Sequence, residues 1–277
     1  MKLAGIFSGM GSQWPQMAVS LQNHFPIFQQ ELAVLDQQVR HQFGWSVIQR
    51  LQHPDSSVLA QPEIANPCIF AVQLALFRQL QAHGLHFDMV LGHSTGEFAA
   101  ACAAGALDVS QALALMHSHN QLISRARAQT GYAMAQLSLT AAELAQSCEA
   151  MPDLWQGVVV SAENSPSIQI VSGPTAQLEL LVVHQQAQQK FARLLSGAVP
   201  FHSPYLPEGD ADMPPLSSKV LSGDGAPALY SGLRGGSINA DELTAEYWQQ
   251  HIRQPVRFYP AVLAMLADGA DTLLEIA

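Results

Sequence analysis

The sequence predicts an α/β protein: a large domain on a parallel sheet, with a small ferredoxin-like domain inserted into it. Three observations predict this. Short apolar strand-like runs alternate with longer helical runs over most of the chain. The run Gly92-His93-Ser94-Thr95-Gly96 stands between a strand-like and a helix-like segment, a strand–turn–helix with a serine at its apex. Residues 132–199 change style and read β-α-β-β-α-β.

The elements follow in order. Leu3–Phe7 reads as a buried first strand that leads into the loop Ser8-Gly9-Met10-Gly11-Ser12. Residues 17–38 and 44–51 have helical spacing. Asn66-Pro67 reads as a helix start, and apolar residues recur at helical intervals from Cys68 to Gln81. Phe87–Leu91 reads as a strand, the elbow helix starts near Gly96, and Asp108-Val109-Ser110 caps a helix over Gln111–Ala126. In the inserted region, Tyr132–Leu139 reads as a strand. Thr140–Met151 reads as a helix opened by a capping box of Thr140 and Glu143. Gly157–Ala162 and Ile168–Ser172 read as strands, Thr175–Gln188 as a helix and Lys190–Leu195 as a strand. Residues 206–227, rich in Pro, Gly, Asp and Ser, read as a loop. The α/β pattern then resumes with a strand at Ala228–Tyr230, helices at Ala240–His251 and Pro260–Asp268, and a last strand at Thr272–Ile276. The large domain is therefore expected over residues 1–130 and 199–277, and the small one over 131–198.

The 277 residues are 48% hydrophobic and 12% charged, which suits a compact globular enzyme with a sizeable core. Twelve Lys and Arg stand against 22 Asp and Glu, a formal charge of −10, which argues against nucleic acid as a partner. Cys68, Cys102 and Cys148 show no metal spacing and no disulfide framework. Reduced thiols and a cytoplasmic location are expected. The apolar start is too short for a signal-peptide core, and no run is long enough to span a membrane. Glu208–Met213 is acidic, but it lacks the ligand pattern of a calcium loop and reads as solvated.

Gly-x-Ser-x-Gly at a strand–turn–helix points to covalent acyl chemistry, with Ser94 Oγ pushed into the open. A serine needs a base. His202 is the best placed of the eleven histidines, because it lies where the chain leaves the small domain and re-enters the large one. His93 adjoins Ser94 but points elsewhere. The oxyanion needs two donors: the Thr95 amide is one, and the Gly9-Met10-Gly11 loop is the natural source of the other.

Several runs occur together in order and spacing: Phe7-Ser8-Gly9-Met10-Gly11-Ser12-Gln13-Trp14, Gly92-His93-Ser94-Thr95-Gly96-Glu97 and Phe201-His202-Ser203. Asn164-Ser165-Pro166, Val171-Ser172-Gly173, Tyr247-Trp248 and Pro255-Val256-Arg257-Phe258 join them. Together, and over essentially the whole chain, they resemble the malonyl-CoA:acyl-carrier-protein transacylase family, which includes the acyltransferase domains of fatty-acid and polyketide synthases.

That resemblance implies an α/β-hydrolase-like large domain and ping-pong transfer. An acyl group passes from coenzyme A to Ser94, with His202 as base, and then to the phosphopantetheine thiol of an acyl carrier protein. No cofactor is bound. The oxyanion donors would be the backbone amides of Met10 and Thr95. A backbone carbonyl before the Pro-Val-Arg motif, at His251, would orient His202 in place of a third carboxylate. Gly9, Gly11 and Asn164 would line the substrate, and Phe201 would narrow the pocket against α-branched acyl groups.

One departure bears on the substrate. Where malonyl-using members have an arginine on the helix after the elbow, this chain has His119, and Arg125 lies too far along to reach the same point. An imidazole with an ordinary pKa near ~6.5 is mostly neutral at pH 7 and is a poor substitute for a guanidinium. Acyl groups without a free carboxylate are therefore expected, the other reading being a charged imidazolium that still holds malonate, but weakly. A thioester hydrolase of the same fold and a non-catalytic scaffold are the alternatives. Glu97 is expected to be structural. Arg125, Arg127, Arg253 and Arg257 are candidates for docking an acidic carrier. The protein is expected as a monomer or as a domain of a larger synthase, with no membrane partner. The resemblance implies a further helix past Leu274-Glu275-Ile276-Ala277, so a segment or a chain with a shortened terminus is expected.

Overall fold

The computed structural model describes residues 2–53, 55–128, 131–195, 199–207, 214, 216 and 225–277. In chain order, the first part holds β1 (Leu3–Phe7), α1 (Val19–His24), α2 (Pro26–Phe43), α3 (Val47–Leu51), α4 (Pro62–Ala82), β2 (Met89–Gly92), α5 (Gly96–Ala103) and α6 (Val109–Arg127). The middle holds β3 (Tyr132–Leu137), α7 (Ala141–Ala150), β4 (Val159–Ser165), β5 (Ile168–Pro174), α8 (Thr175–Ala187) and β6 (Ala192–Leu194). The last part holds β7 (Ala228–Ser231), β8 (Gly236–Ser237), α9 (Ala245–Arg253), α10 (Phe258–Ala267) and β9 (Thr272–Ile276).

Among the described residues these strands form two sheets. The larger runs β8-β7-β2-β1-β9. Its four long strands are parallel, and only the short edge strand β8 is antiparallel. Both faces are covered, as a parallel sheet requires. Phe7 and Val90 join Phe28, Phe70, Phe77 and Phe98 on one side. Ala4, Met89 and Leu91 meet Tyr230, Ala261 and Met265 on the other.

The smaller sheet runs β4-β5-β3-β6 and is antiparallel throughout, with β-α-β-β-α-β connectivity. Leu137, Trp155, Val171, Leu178 and Leu181 give it a core of its own. Its other face, with Met134, Ala162 and Ile170, closes on Val256 and is packed by Phe201 and Phe258. Backbone bonds hold this seam. The Glu163 amide donates to the Val256 carbonyl and the Val256 amide to the Ser161 carbonyl, both at 2.9 Å. The small sheet thus braces the Pro-Val-Arg segment beside the site.

Several boundaries differ from expectation, each for a local reason. The helical run 17–38 breaks at Phe25, because Pro26 opens a new helix at its first position. The start expected at Asn66-Pro67 lies inside α4, which begins at Pro62. Pro67 removes the amide that would bond the Glu63 carbonyl, and the side-chain amide of Asn120 supplies that bond instead, at 3.2 Å. The helix expected from Ala240 is a 3-10 turn over Ala240–Glu242, followed by α9, where the Thr244 hydroxyl accepts from the Tyr247 amide. Strand β8 was not expected. The capping box expected at Thr140 and Glu143 forms, the cap at Asp108 closes as a box with Gln111, and a further box joins Asn239 and Glu242. Most of the loop expected at 206–227, including Glu208–Met213, lies outside the described residues. No described helix is long and apolar enough to cross a membrane.

Candidate active site

Ser94 sits at the tip of β2 with a backbone φ of +51°, and α5 starts two residues later. Such a left-handed serine is strained and is held only by its surroundings. Two glycines make the turn possible. A Cβ on Gly92 would overlap the Glu97 amide, and one on Gly96 would overlap the Phe7 carbonyl. The His93 amide donates to Phe7 O at 2.8 Å, which ties the turn to β1.

His202 also has a positive φ, +55°, and its amide donates to Ile252 O at 2.9 Å. Its Nε2 lies 2.7 Å from Ser94 Oγ. Its Nδ1 lies 3.1 Å from the Gln254 carbonyl. A carbonyl only accepts, so Nδ1 bears the proton and Nε2 offers a lone pair to the serine hydroxyl. The expected orienting carbonyl was that of His251. That carbonyl also faces the ring, but the Nδ1–H bond runs to Gln254. Gln254 precedes a proline and is therefore extended, with ψ 154°, which turns its carbonyl out of the helix toward His202. That preceding-proline rule was the signal in the sequence that could have found Gln254. Burial first, then the charges of His251 and His93, pushes the His202 imidazole down to about 3, so it stays neutral.

The first loop lies against the elbow. A Cβ on Gly9 would come within 2.6 Å of the His93 carbonyl, and Gln73 Nε2 donates to Ser8 O at 2.7 Å. Among the described residues, no carbonyl takes up the amides of Met10 or Thr95.

A small cavity of about 30 Å³ opens on the pair, walled by Ser94, Thr95, His119, Phe201, His202 and His251. Among the described residues, none that lines it is lysine or arginine. His119 is buried, and its Nε2 donates to Trp248 O at 2.9 Å. Burial, followed by the charge of His251, pushes it down to about 3, so its ring is neutral. Gly9, Gly11 and Asn164 do not line this cavity. Asn164 Oδ1 instead meets His93 Nε2 at 2.7 Å and ties β4 to the elbow. Glu97 is wholly buried. It accepts from the Gly232 amide at 3.0 Å and from the Tyr247 hydroxyl, and it makes no bond to Ser94 or His202. Of the four arginines, Arg127 pairs with Glu63 at 2.9 Å and Arg257 donates to Arg234 O.

The family model for the acyl transferase domain matches residues 5–277. The chain is 32% identical over 288 residues to the highly reducing polyketide synthase aurA of Calcarisporium arbuscula, covering 99% of this chain and 12% of that protein. The chain thus spans only a small part of that relative. It superposes on a loading acyltransferase from the avermectin modular polyketide synthase with a TM-score of 0.87. The two are 26% identical, over 99% of this chain and 86% of the other. A malonyl-transacylase solved in complex with a type II acyl-carrier protein shares the fold, with a TM-score of 0.85 and 23% identity over 100% of this chain and 89% of the other.

Proposed function

Given that the chain belongs to the acyl transferase domain family, with the malonyl-CoA:acyl-carrier-protein transacylases and the polyketide synthase acyltransferase domains, we propose that it moves an acyl group from coenzyme A, through an ester on Ser94, to the phosphopantetheine thiol of an acyl carrier protein. The observation that carries this reading is the 2.7 Å contact of Ser94 Oγ with a His202 whose other nitrogen is anchored on Gln254.

In the first half, His202 Nε2 takes the Ser94 proton as Oγ attacks the thioester carbonyl. The amides of Met10 and Thr95 hold the oxyanion. The carbon–sulfur bond breaks, and the coenzyme A sulfur leaves with the proton from His202. In the second half the carrier thiol gives its proton to Nε2 and attacks the carbonyl of the Ser94 ester, the carbon–oxygen bond to Ser94 breaks, and His202 returns the proton to the leaving Oγ. Orientation of the imidazole by backbone carbonyls replaces a carboxylate in this scheme.

The acyl group lacks a free carboxylate. The cavity is small, Phe201 narrows it, and the neutral His119 stands where a guanidinium would be needed. Leaving a carboxylate unpaired in a buried site costs about 3 kcal/mol or more, roughly a hundredfold in loading. The large domain, residues 1–130 and 199–277, is read as α/β-hydrolase-like, and residues 131–198 as a ferredoxin-like insertion. The separate core of the small sheet supports that division.

The test is intact mass after incubation with acetyl-, malonyl- and medium-chain acyl-CoA, with Ser94→Ala as control. An acetyl adduct that disappears in Ser94→Ala is expected. Equal malonyl loading would overturn the selectivity, and no adduct from any donor would overturn the acyl reading. Addition of a carrier protein then separates transfer from hydrolysis.

A further inference from the structure

Glu97 lies three residues past the nucleophile, yet the steps above never use it. Its side chain is 1% exposed, and its Oε2 stands 3.5 Å from Nε2 of His251, itself 4% exposed. Among the described residues, neither ring nitrogen of His251 has a hydrogen-bond partner. Its ring lies edge-on to that of His202, with centroids 6.2 Å apart, and parallel to that of His119 at 5.9 Å. A buried carboxylate without a cation is costly, and so is a buried imidazole with both nitrogens unpaired. Each therefore supplies what the other lacks.

The titratable groups facing His251 are Glu97 from α5, His119 from α6, His202 from the domain junction, His93 from the elbow and Tyr247 one turn earlier on α9. Glu97 is the one carboxylate in that set. It reaches His202 only through His251.

We propose that Glu97 is a positioning residue that acts through His251: the buried pair keeps a positive charge beside His202 and so keeps Nε2 free to accept the Ser94 proton. The proposal rests on the acyl-transfer reading of Ser94 and His202. It assigns a role to the acidic residue of the elbow that neither touches the substrate nor merely fills the core. The pair is neutral as a whole, so it offers no net charge to a substrate carboxylate, in keeping with the expected selectivity. The depressed titration of His202, to which the charge of His251 contributes after burial, has the sign this arrangement requires.

The test follows the rate of Ser94 acetylation from acetyl-CoA across the acid and neutral range, read by intact mass, in Glu97→Gln and His251→Gln. Melting temperatures report folding. Losing the charge at His251 raises the His202 titration, so the acid limb of the profile moves to higher pH by about one unit in each variant. The double variant moves it no further. Tyr247→Phe removes a hydrogen bond to Glu97 but no charge, so it lowers the melting temperature and leaves the limb in place. A limb unmoved in either single variant, or a rate lowered equally at every pH, overturns the proposal. Should Glu97→Gln fail to fold, His251→Gln decides alone. A wild-type chain with no Ser94 adduct at any pH refutes the acyl reading instead, so the two failures are distinct.

Discussion

At residue 119 the cavity beside Ser94 carries a neutral imidazole whose Nε2–H is already given to the Trp248 carbonyl. That geometry bears on selectivity more than the residue type alone, because a bonded, buried ring cannot swing out to meet an anion. His119→Arg places a permanent fork of donors there. The expected result is a malonyl-to-acetyl loading ratio at Ser94 raised by at least about tenfold, with some loss of stability from burying an unpaired guanidinium. The same intact-mass assay measures it, and an unchanged ratio would remove residue 119 from substrate choice. The site residues legible in the sequence were those whose backbone is unusual. Ser94 is bracketed by two glycines, and His202 lies where the chain returns from the small sheet, with a positive φ. Gln254 and the Glu97–His251 contact were not legible, since each depends on where α9 ends in space.

At the scale of elements, α4 shows how a local rule can fail without harm to the fold. A proline in the sixth position of a helix deletes one hydrogen bond, and a side chain from α6 replaces it. Asn120→Ala should therefore cost about 1 kcal/mol, the low end of the range for a polar group left unpaired, because the bond it breaks is half-buried. In a Pro67→Ala background the amide at residue 67 can bond Glu63 itself, so the same substitution should cost clearly less. Denaturant unfolding of the four chains measures this. Equal costs in both backgrounds would mean that Asn120 stabilises the helix pair in some other way. The helix start expected at Pro67 follows from the same cause. Read locally, a proline marks a start; only the neighbouring helix reveals that the chain can afford it inside.

Across the whole molecule, two histidines, His119 and His202, are held neutral by burial, with folded values of about 3. In the unfolded chain they titrate near ~6.5. Between these values the unfolded state binds protons that the folded state refuses. Stability is therefore full above about pH 6.5 and falls as the pH drops toward about 3, by up to about 1.4 kcal/mol per pH unit for each group. Melting temperature against pH should show this slope. In His119→Gln the slope should shrink by one proton's worth, and an identical slope would place the acid sensitivity on other groups.

The sequence by itself determined the α/β class, the parallel main sheet and the β-α-β-β-α-β order of the middle region, and it singled out Ser94 and His202, which stand 2.7 Å apart in the fold. These features depend on period, glycine placement and order along the chain, all of which are local or nearly so. The tertiary structure alone decided which carbonyl aligns His202, what Asn164 and Asn120 hold, that His119 is closed off, and that Glu97 meets His251. Those are contacts between residues 52 to 154 positions apart. Their partners are selected by packing across two sheets, and no pattern along the chain encodes such a distance.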